Sequence, residues 1–398
     1  MLIDFTAKID IELRISNKKL KMSATIPCGD SDEMEFIPYP KIPTSITQCT
    51  KGISQDTEAV VLEKVHGANL PVYGNGRKVR FAKRTGFLLP NQWFYNYETL
   101  VEELTYKVNS LYNLLKSTKM YPDMKYVIVY GELYGGYYPE DDKIDTWKGA
   151  FDAKRINEKH VCIIPQEERA VREGIYYSPD VKFIAFDICI VGDKSSSTQN
   201  KWLNFLNYNV LMEMCKKVNV DYLYPLMIGP LKKCLSFNYK FDSRIAVDVC
   251  KQKKLPSGSN VAEGVVIKLM DSSKTYPLSV KNGQTQQIRP IIKHKHPSFA
   301  EISGDFTMPD ISVDMILSSM VNINRLNAVL SKYGKCDKIE DETTINEVEE
   351  LLVEDVWADF YECHSAINPV TNYSKSNTLV QIKAQKLVRE SLLSALKV

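Results

Sequence analysis

The chain is short of the residues that build metal centres and covalent cross-links. It has five histidines and nine cysteines in 398 residues, and no two cysteines form a C-x-x-C pair. His294 and His296 lie two residues apart without a further Cys/His cluster beside them, so we expect no zinc site. Scattered cysteines are typical of free thiols in a reducing compartment, and they predict an intracellular protein.

Three further patterns are absent. No run of about 18 apolar residues occurs, so no membrane span is expected, and Met1–Phe5 carries an acidic residue where a signal peptide needs an apolar stretch. The Walker A loop, G-x-x-x-x-G-K-[ST], is missing, which disfavours P-loop chemistry. A net charge of only +2 excludes a polycationic nucleic-acid coat and leaves room for a local basic groove.

What is present is an ordinary globular composition, 44% hydrophobic and 25% charged, in a chain long enough for two domains. We predict an N-terminal extension over residues 1–50, with a β-hairpin at 8–26 followed by a proline-rich loop. A mixed domain of strands and helices is predicted over 51–303. Strand alternation stops near residue 300 and three helical segments follow, which predicts a helical domain over 304–398.

From residue 59 onward, the mixed domain is predicted to alternate strands with helical stretches. The strand candidates are 59–64, 77–83, 126–133, 181–190, 262–269 and 287–294. Helical periodicity covers 96–117 and 201–218. The second helix is predicted from the spacing of its apolar residues, which are Leu203, Leu206, Leu211, Met214 and Val218.

The most informative stretch is Glu63–Gly67, where the apolar run Ala59–Leu62 ends in a lysine and then a glycine. A lysine amine becomes a nucleophile when a partly dry site or neighbouring cations lower its pKa. A following glycine lets a nucleotide approach the backbone. Taken alone, Lys64 is more simply explained as a solvated lysine at a strand end.

Five further segments carry charged residues at or beside predicted strand ends. They are Ala82–Gly86, Tyr130–Gly136, Phe183–Ile188, Ala262–Lys268 and Ile291–Lys295. Each has a structural explanation by itself, such as a surface turn or a core strand with one acid. Together with Lys64 they supply a nucleophile, three acids, several cations and an aromatic ring. Transfer of a nucleoside monophosphate from ATP to lysine requires that set.

In this order the motifs resemble those of the covalent nucleotidyltransferases, the superfamily of ATP- and NAD-dependent ligases and mRNA capping enzymes. The matching motifs are Lys64–Gly67, Ala82–Gly86, Gly131–Leu133, Phe186–Asp187, Glu263–Lys268 and Lys293–Lys295. DNA ligases and capping enzymes generally carry aspartate where this chain has His66. The chain is therefore most similar to the branch of phage RNA ligase 2 and the kinetoplastid RNA-editing ligases.

This resemblance covers residues from about 55 to 335 and includes Ile323–Asn327 in the first C-terminal helical segment. It implies an α+β fold, with an antiparallel-sheet, ATP-grasp-like nucleotidyltransferase domain (51–303, an adenylyltransferase domain) followed by a small all-helical domain. For nucleotide binding it implies that Lys64 carries AMP, that Glu63 faces the adenine edge and that Phe186 stacks on the ring. Arg84 and Glu132 would hold the ribose and the nucleotide phosphate.

The resemblance also implies residues that act on the phosphates. Glu263 would position a hydrated Mg²⁺, with Mn²⁺ as a substitute. His66 and Asn69 would support the reaction, Asn69 at the sealing step, and Asp187 would either take part or only fix its strand. Three lysines would neutralise the triphosphate and orient pyrophosphate, namely Lys268, Lys293 and Lys295.

These expectations describe an ATP-dependent RNA ligase that joins 3′-OH and 5′-phosphate RNA ends through lysyl-AMP and an RNA-adenylate. RNA would be bound as a nicked duplex or as bridged ends, and we expect a monomer. One alternative is another covalent nucleotidyltransferase, either a DNA ligase or an mRNA capping guanylyltransferase. Those enzymes usually place an OB-fold after the last lysine motif, where this chain has helices. The other alternative is a non-catalytic RNA-binding relative.

Overall fold

Antiparallel sheets followed by C-terminal helices make up the part of the chain that the computed structural model describes. The described residues are 34–40, 42, 50, 52–90, 92, 94–138, 170–172, 174–193, 201–279, 285–299, 313–333, 342–363 and 373–393. Backbone proximity divides the chain into two units, Met1–Glu35 and Phe36–Val398. The hairpin predicted at 8–26 lies outside the described residues, and the domain boundaries predicted near 50 and 303 stay predictions.

Thirteen strands are described, and every pairing between them is antiparallel. The first eight are β1 Glu58–Glu63, β2 Ala68–Asn69, β3 Val72–Gly74, β4 Val79–Lys83, β5 Gly86–Phe87, β6 Met124–Tyr137, β7 Ser178–Asp193 and β8 Lys201–Phe205. The remaining five are β9 Pro225–Pro230, β10 Gly264–Leu269, β11 Tyr276–Ser279, β12 Thr285–Ile288 and β13 Ile291–Lys295.

The strands form two sheets and a separate hairpin. One sheet has the order β13-β10-β1-β9, and a seven-stranded sheet has the order β5-β4-β3-β6-β7-β8 with β2 paired to β6. The hairpin consists of β11 and β12. Strand β1 is a central strand whose last five residues are all buried, which explains why its sequence is continuously apolar rather than alternating.

Helices cover the sheets and build the C-terminal part. They are a 3₁₀-helix Tyr97–Leu100, α1 Val101–Ser117, α2 Tyr208–Val218, α3 Leu231–Leu235, a π-helix Ile245–Val249, a 3₁₀-helix Pro297–Phe299, α4 Val313–Met320, α5 Ile323–Tyr333, α6 Glu342–Cys363 and α7 Tyr373–Leu393. None of the helices in the described ranges is both long and apolar enough to cross a membrane.

Separate apolar clusters hold these layers together. Leu104, Val108 and Leu111 of α1 pack on the seven-stranded sheet, as expected for an amphipathic helix that buries one face. A second cluster joins the two sheets, because Val60 and Leu62 of β1 contact side chains of the other sheet. The C-terminal helices have cores of their own, which fits a folding unit with its own interior.

A fully buried arginine links three of the C-terminal helices. Arg325 of α5 donates to the Met320 carbonyl at 2.9 Å and to Asp355 and Asp359 of α6 at 2.6 and 3.0 Å. Its side chain has no solvent exposure. Because a buried charge is tolerated only when it is paired and hydrogen-bonded, this network determines how α5 and α6 pack.

The predicted α+β class is confirmed, and two predicted elements differ from the structure. Residues 201–218 were expected to be one helix, but Lys201–Phe205 is strand β8, paired with β7, and only Tyr208–Val218 is helical. The strand predicted over 287–294 covers the end of β12 and most of β13, and the strands β2, β3, β5, β9 and β11 were not predicted. The C-terminal region contains four described helices where the sequence predicted three helical segments.

Candidate active site

Lys64 lies directly after β1, at the edge where the two sheets meet. Strand periodicity places its side chain on the same face as Val60 and Leu62, which pack towards the seven-stranded sheet. Its backbone N–H donates to the Gly264 carbonyl of β10 at 2.9 Å, so the ladder continues past the last strand residue. The apolar strand therefore holds the lysine in the cleft rather than in bulk solvent.

The turn after Lys64 needs a glycine. A Cβ atom on Gly67 would lie 2.1 Å from the Leu133 carbonyl oxygen and 2.9 Å from Cγ of Glu132. Only glycine allows such a close approach of two backbones. The turn is thereby packed directly against the part of β6 that carries Glu132.

Glu263 is the centre of the site. Its Oε1 atom lies 2.7 Å from the ammonium of Lys64 and 3.4 Å from that of Lys295. Its Oε2 atom lies 3.1 Å from Nδ1 of His66. Burial alone would raise the pKa of this carboxyl, but the two lysines and the histidine outweigh burial and hold the pKa well below its usual value. Glu263 is therefore an ionised, nearly inaccessible carboxylate.

The histidine in this cluster is neutral near pH 7. Burial, assisted by the charge of Arg172, lowers the pKa of His66 to about 4 despite the contact with Glu263. Since an ionised carboxylate can only accept a hydrogen bond, Nδ1 of His66 carries the proton and Nε2 has a lone pair. The backbone N–H of His66 donates to the Tyr177 hydroxyl at 3.0 Å, which fixes this turn.

A second carboxylate faces the same cleft from β6. Burial raises the pKa of Glu132 to about 7, against the charges of Lys64, Arg172 and Arg84, which lower it. Arg84 is half-buried in the turn between β4 and β5. Asn69 of β2 stands opposite Glu132 in the ladder, and its amide donates to the Gly131 carbonyl at 3.4 Å.

Glu63 is buried against the start of the π-helix. Its Oε1 accepts from the Ser243 hydroxyl at 2.6 Å and its Oε2 accepts from the backbone N–H of Arg244 at 2.8 Å. Burial nevertheless dominates and raises the pKa of Glu63 to about 7. Contact of this side chain with adenine, as the sequence suggested, stays a prediction.

Phe186 lies above a buried network of charged residues. Asp187, with no solvent exposure, accepts from Arg289 at 2.9 Å and lies 3.5 Å from the ammonium of Lys268. Burial opposes its ionisation, but these two cations outweigh burial and lower its pKa. Lys268 also donates to the Phe186 carbonyl at 2.7 Å. The network therefore positions the backbone that carries the Phe186 ring.

The segment 36–40 completes this network from the N-terminal side. The Tyr39 hydroxyl donates to Asp187 at 2.9 Å, and its ring meets the Phe186 ring edge-on at 5.1 Å. The Ile37 carbonyl accepts from the hydroxyls of Tyr73 and Tyr130 at 2.8 and 2.9 Å. A segment expected only to be part of a proline-rich loop thus holds the strand that carries Phe186.

Helix α5 contacts the same turn that follows the lysine. The Ser331 hydroxyl donates to the Gly67 carbonyl at 3.4 Å, and Asn324 donates to the Ser298 carbonyl at 3.1 Å. The Phe299 ring lies 5.0 Å from the His66 ring. A cleft of about 30 Å³ remains between α5 and the sheet domain, lined by residues that include Arg172, Lys295 and Asn327.

Of the predicted residues, His66, Glu263 and Lys295 line this cleft, and Lys64 contacts Glu263 beside it. Lys293 and Lys295 lie on one face of β13, two residues apart, and Lys295 reaches Glu263. Lys268 was predicted to neutralise the triphosphate. In the structure its ammonium is buried beside Asp187 and lies 5.4 Å from the Tyr208 ring. A larger cavity, of about 460 Å³, lies elsewhere and is lined by none of the predicted residues.

Four contributors to the site were not predicted from the sequence, and no local signal marked them. They are Tyr39, Arg172, Ser243 and Arg289. Each stands outside the recognised motifs, and only its partner in space identifies it. The 148-residue separation of Tyr39 from Asp187 illustrates the problem.

Two known protein families match most of the chain. Residues 57–295, more than half of the chain, match the RNA ligase family. Residues 312–397 match the C-terminal domain of T4 RNA ligase 2. The second match covers the helices α4 to α7.

Curated relatives are similar over most of their length. Mitochondrial RNA-editing ligase 1 of Trypanosoma brucei brucei is 27% identical over 428 aligned positions, covering 90% of this chain and 85% of the relative. Mitochondrial RNA-editing ligase 2 of the same organism is 28% identical over 346 positions, covering 78% of each chain. Among solved structures, a Naegleria gruberi RNA ligase variant with ATP and Mn has a TM-score of 0.35 and 12% identity, covering 65% of this chain and 56% of that one.

Proposed function

The chain belongs to the RNA ligase family and is an ATP-dependent RNA ligase, and we propose that it joins 3′-OH and 5′-phosphate RNA ends through an AMP held covalently on Lys64. The observation that supports this assignment is the buried Glu263 carboxylate between Lys64, Lys295 and His66. It places Lys64 in a confined, charged site together with a second acidic residue, Glu132. Such a site can hold phosphates and position a nucleophile.

The reaction has three displacements at phosphorus. In the first, Nζ of Lys64 attacks the α-phosphorus of ATP, a P–N bond forms, the α–β anhydride bond breaks, and pyrophosphate leaves. In the second, an oxygen of the RNA 5′-phosphate attacks the same phosphorus, and the lysine leaves. In the third, the neighbouring 3′-OH attacks the 5′-phosphorus, AMP leaves, and the hydroxyl proton is released. Each covalent intermediate conserves the energy of the anhydride.

The lysine is held as a cation partner before the first step. Lys64 is 2.7 Å from Glu263, and an ammonium group has no lone pair with which to attack. This ion pair therefore has to open, and the amine has to lose a proton, when the nucleotide binds. Lys293 and Lys295 are the cations we assign to the departing pyrophosphate, and Phe186 is assigned to stack on adenine.

The residues present fit a hydrated divalent cation, which we propose to be Mg²⁺. Within the described ranges no group of three or more His, Cys, Asp or Glu side chains is arranged to hold a metal ion. Mg²⁺ usually keeps several waters and binds through one or two carboxylates plus substrate phosphates. Glu263, with Glu132 near it, suits that mode. When bound, the cation would neutralise charge that develops on the phosphates.

We also propose the compartment, the oligomeric state and the RNA form. The described cysteines, Cys189, Cys215, Cys234 and Cys250, are free thiols, which suits a reducing interior. A monomer acting on nicked or bridged RNA is the simplest assembly for one Lys64 site. Light scattering at several concentrations tests the oligomeric state, and sealing of matched nicked, splinted and single-stranded RNA tests the RNA form.

Covalent labelling with [α-³²P]ATP tests the function. Wild-type protein should retain label after denaturation, and Lys64→Ala should retain none. Lys64→Arg should also fail, because a guanidinium cannot be deprotonated to attack. Exposed Lys383 supplies the matched control, and Lys383→Ala should label normally. Label on Lys64→Ala, or labelling by GTP in place of ATP, would contradict the assignment.

A further inference from the structure

The cleft between α5 and the sheet domain has an unassigned cation. Arg172 lines it together with His66, Glu263, Lys295, Asn324 and Asn327. The volume of about 30 Å³ corresponds to about two water molecules at the 10–15 Å³ that one water needs. The cleft is open on one side, so a single phosphoryl group matches its scale when the attached nucleoside lies outside.

The residue before Arg172 is hydrogen-bonded to the sheet. The backbone N–H of Val171 donates to the Gly135 carbonyl of β6 at 2.8 Å. Gly174 lies beside the reactive turn, since a Cβ atom there would be at van der Waals distance, 3.4 Å, from Phe299 and 3.9 Å from Nε2 of His66. Arg172 therefore follows a residue held by β6 and lies close to the turn that carries His66.

The charges around the cleft favour an anion. Arg172 and Lys295 are cations, and both line the cleft. The carboxylate of Glu263 is already shared by Lys64 and Lys295. Arg172 is thus the cation whose charge is least compensated by that carboxylate, and its planar fork suits two oxygens of one phosphate.

We propose that Arg172, assisted by Lys295 and Asn327, binds the terminal phosphate of the RNA strand that is to be adenylated. This assignment rests on the proposed ligase function. The site includes side chains of α5, so it is complete only when the helical domain is docked. The first step, on ATP, does not need a second phosphate site, whereas the second step needs the RNA phosphate held beside the lysyl-AMP.

The test separates the first step from the second. Lysyl-AMP formation is measured with ATP alone, and RNA-adenylate formation is measured with purified lysyl-AMP protein and nicked RNA. The loss in Arg172→Ala should be smaller in the first assay than in the second, because in the first step its charge acts only on the neighbouring His66 and Glu132. The variant should lose about 10- to 100-fold in the second, the scale of charged hydrogen bonds. Equal losses in both assays would assign Arg172 to ATP and overturn the proposal.

Binding supplies a readout that does not depend on turnover. Fluorescence anisotropy compares nicked RNA bearing a 5′-phosphate with the same RNA bearing a 5′-hydroxyl, without ATP. Wild type should prefer the phosphate by about 10-fold or more, and Arg172→Ala should show a ratio near one. Asn327→Ala, at an exposed position, should lower the ratio in the same direction. Lys383→Ala, which removes a cation far from these residues in sequence, should leave it unchanged.

The outcomes distinguish this proposal from the function it rests on. Wild-type protein that takes no label from ATP would refute the ligase function, and the phosphate assignment would fall with it. Wild-type protein that labels and seals, but whose Arg172→Ala variant still prefers the 5′-phosphate, would refute only the assignment of Arg172. Arg172→Lys should recover part of the preference, since it keeps the charge and loses the fork.

Discussion

Removal of one hydroxyl from the N-terminal segment should loosen the network beneath Phe186. In Tyr39→Phe the ring keeps its edge contact with Phe186, which measures 5.1 Å between centroids. The variant loses only the 2.9 Å hydrogen bond to Asp187. Because Asp187 has no solvent exposure, water cannot replace the lost donor.

The expected loss of stability depends on the partners that Asp187 keeps. A hydrogen bond to a charged group contributes about 1.5–3 kcal/mol. Arg289 and Lys268 still compensate the carboxylate, so we expect a loss near the lower end, about 2 kcal/mol in the free energy of unfolding. Urea unfolding measures it, and Tyr106→Phe, at a side chain that is 75% exposed, should change stability by less than about 0.5 kcal/mol.

A double-mutant cycle makes the same experiment decisive. If Tyr39 acts through Asp187, then Tyr39→Phe should have a much smaller effect in an Asp187→Asn background, with a coupling energy above about 0.5 kcal/mol. The ATP concentration for half-maximal labelling should rise in Tyr39→Phe as the Phe186 strand loses support. Additive effects, or a Tyr39→Phe variant as stable as Tyr106→Phe, would refute the network.

Two other predictions concern the turn and the pH dependence. Gly67→Ala should reduce lysyl-AMP formation at least about 10-fold, because its Cβ would lie 2.1 Å from a backbone oxygen and the turn must shift. Gly229→Ala, with nothing within 4 Å, should label normally. Burial raises the pKa of Glu63 to about 7, so the folded state holds this proton more tightly than the unfolded state. Its contribution to stability is complete below about pH 4.5 and is lost as pH rises through 7. Glu63→Gln should flatten unfolding free energy across that window, whereas Glu98→Gln, at an exposed residue, should not; an unchanged slope in Glu63→Gln would contradict the cause.

The elements predicted best are those whose local pattern of apolar residues already indicates which side chains are buried. Residues Ala59–Leu62 of β1 are all apolar and all buried, and α1 buries Leu104, Val108 and Leu111 at helical spacing. The helix predicted over 201–218 is wrong in its first part. Leu203 and Leu206 fit a helical spacing, but pairing of Leu203 with Val191 makes that part a strand. A short apolar run does not distinguish helix from strand until its non-local partner is present.

Residue types and their spacing along the chain were enough to indicate the family, the candidate nucleophile and the order of the charged motifs. The contacts of Tyr39 and Arg289 with Asp187, and the position of Arg172 in a cleft beside α5, are visible only in the folded chain. Such contacts join residues far apart in the chain, and they form only when particular strands pair and a particular helix docks. Which residues contact each other is therefore set by packing, and local periodicity contains no information about these contacts.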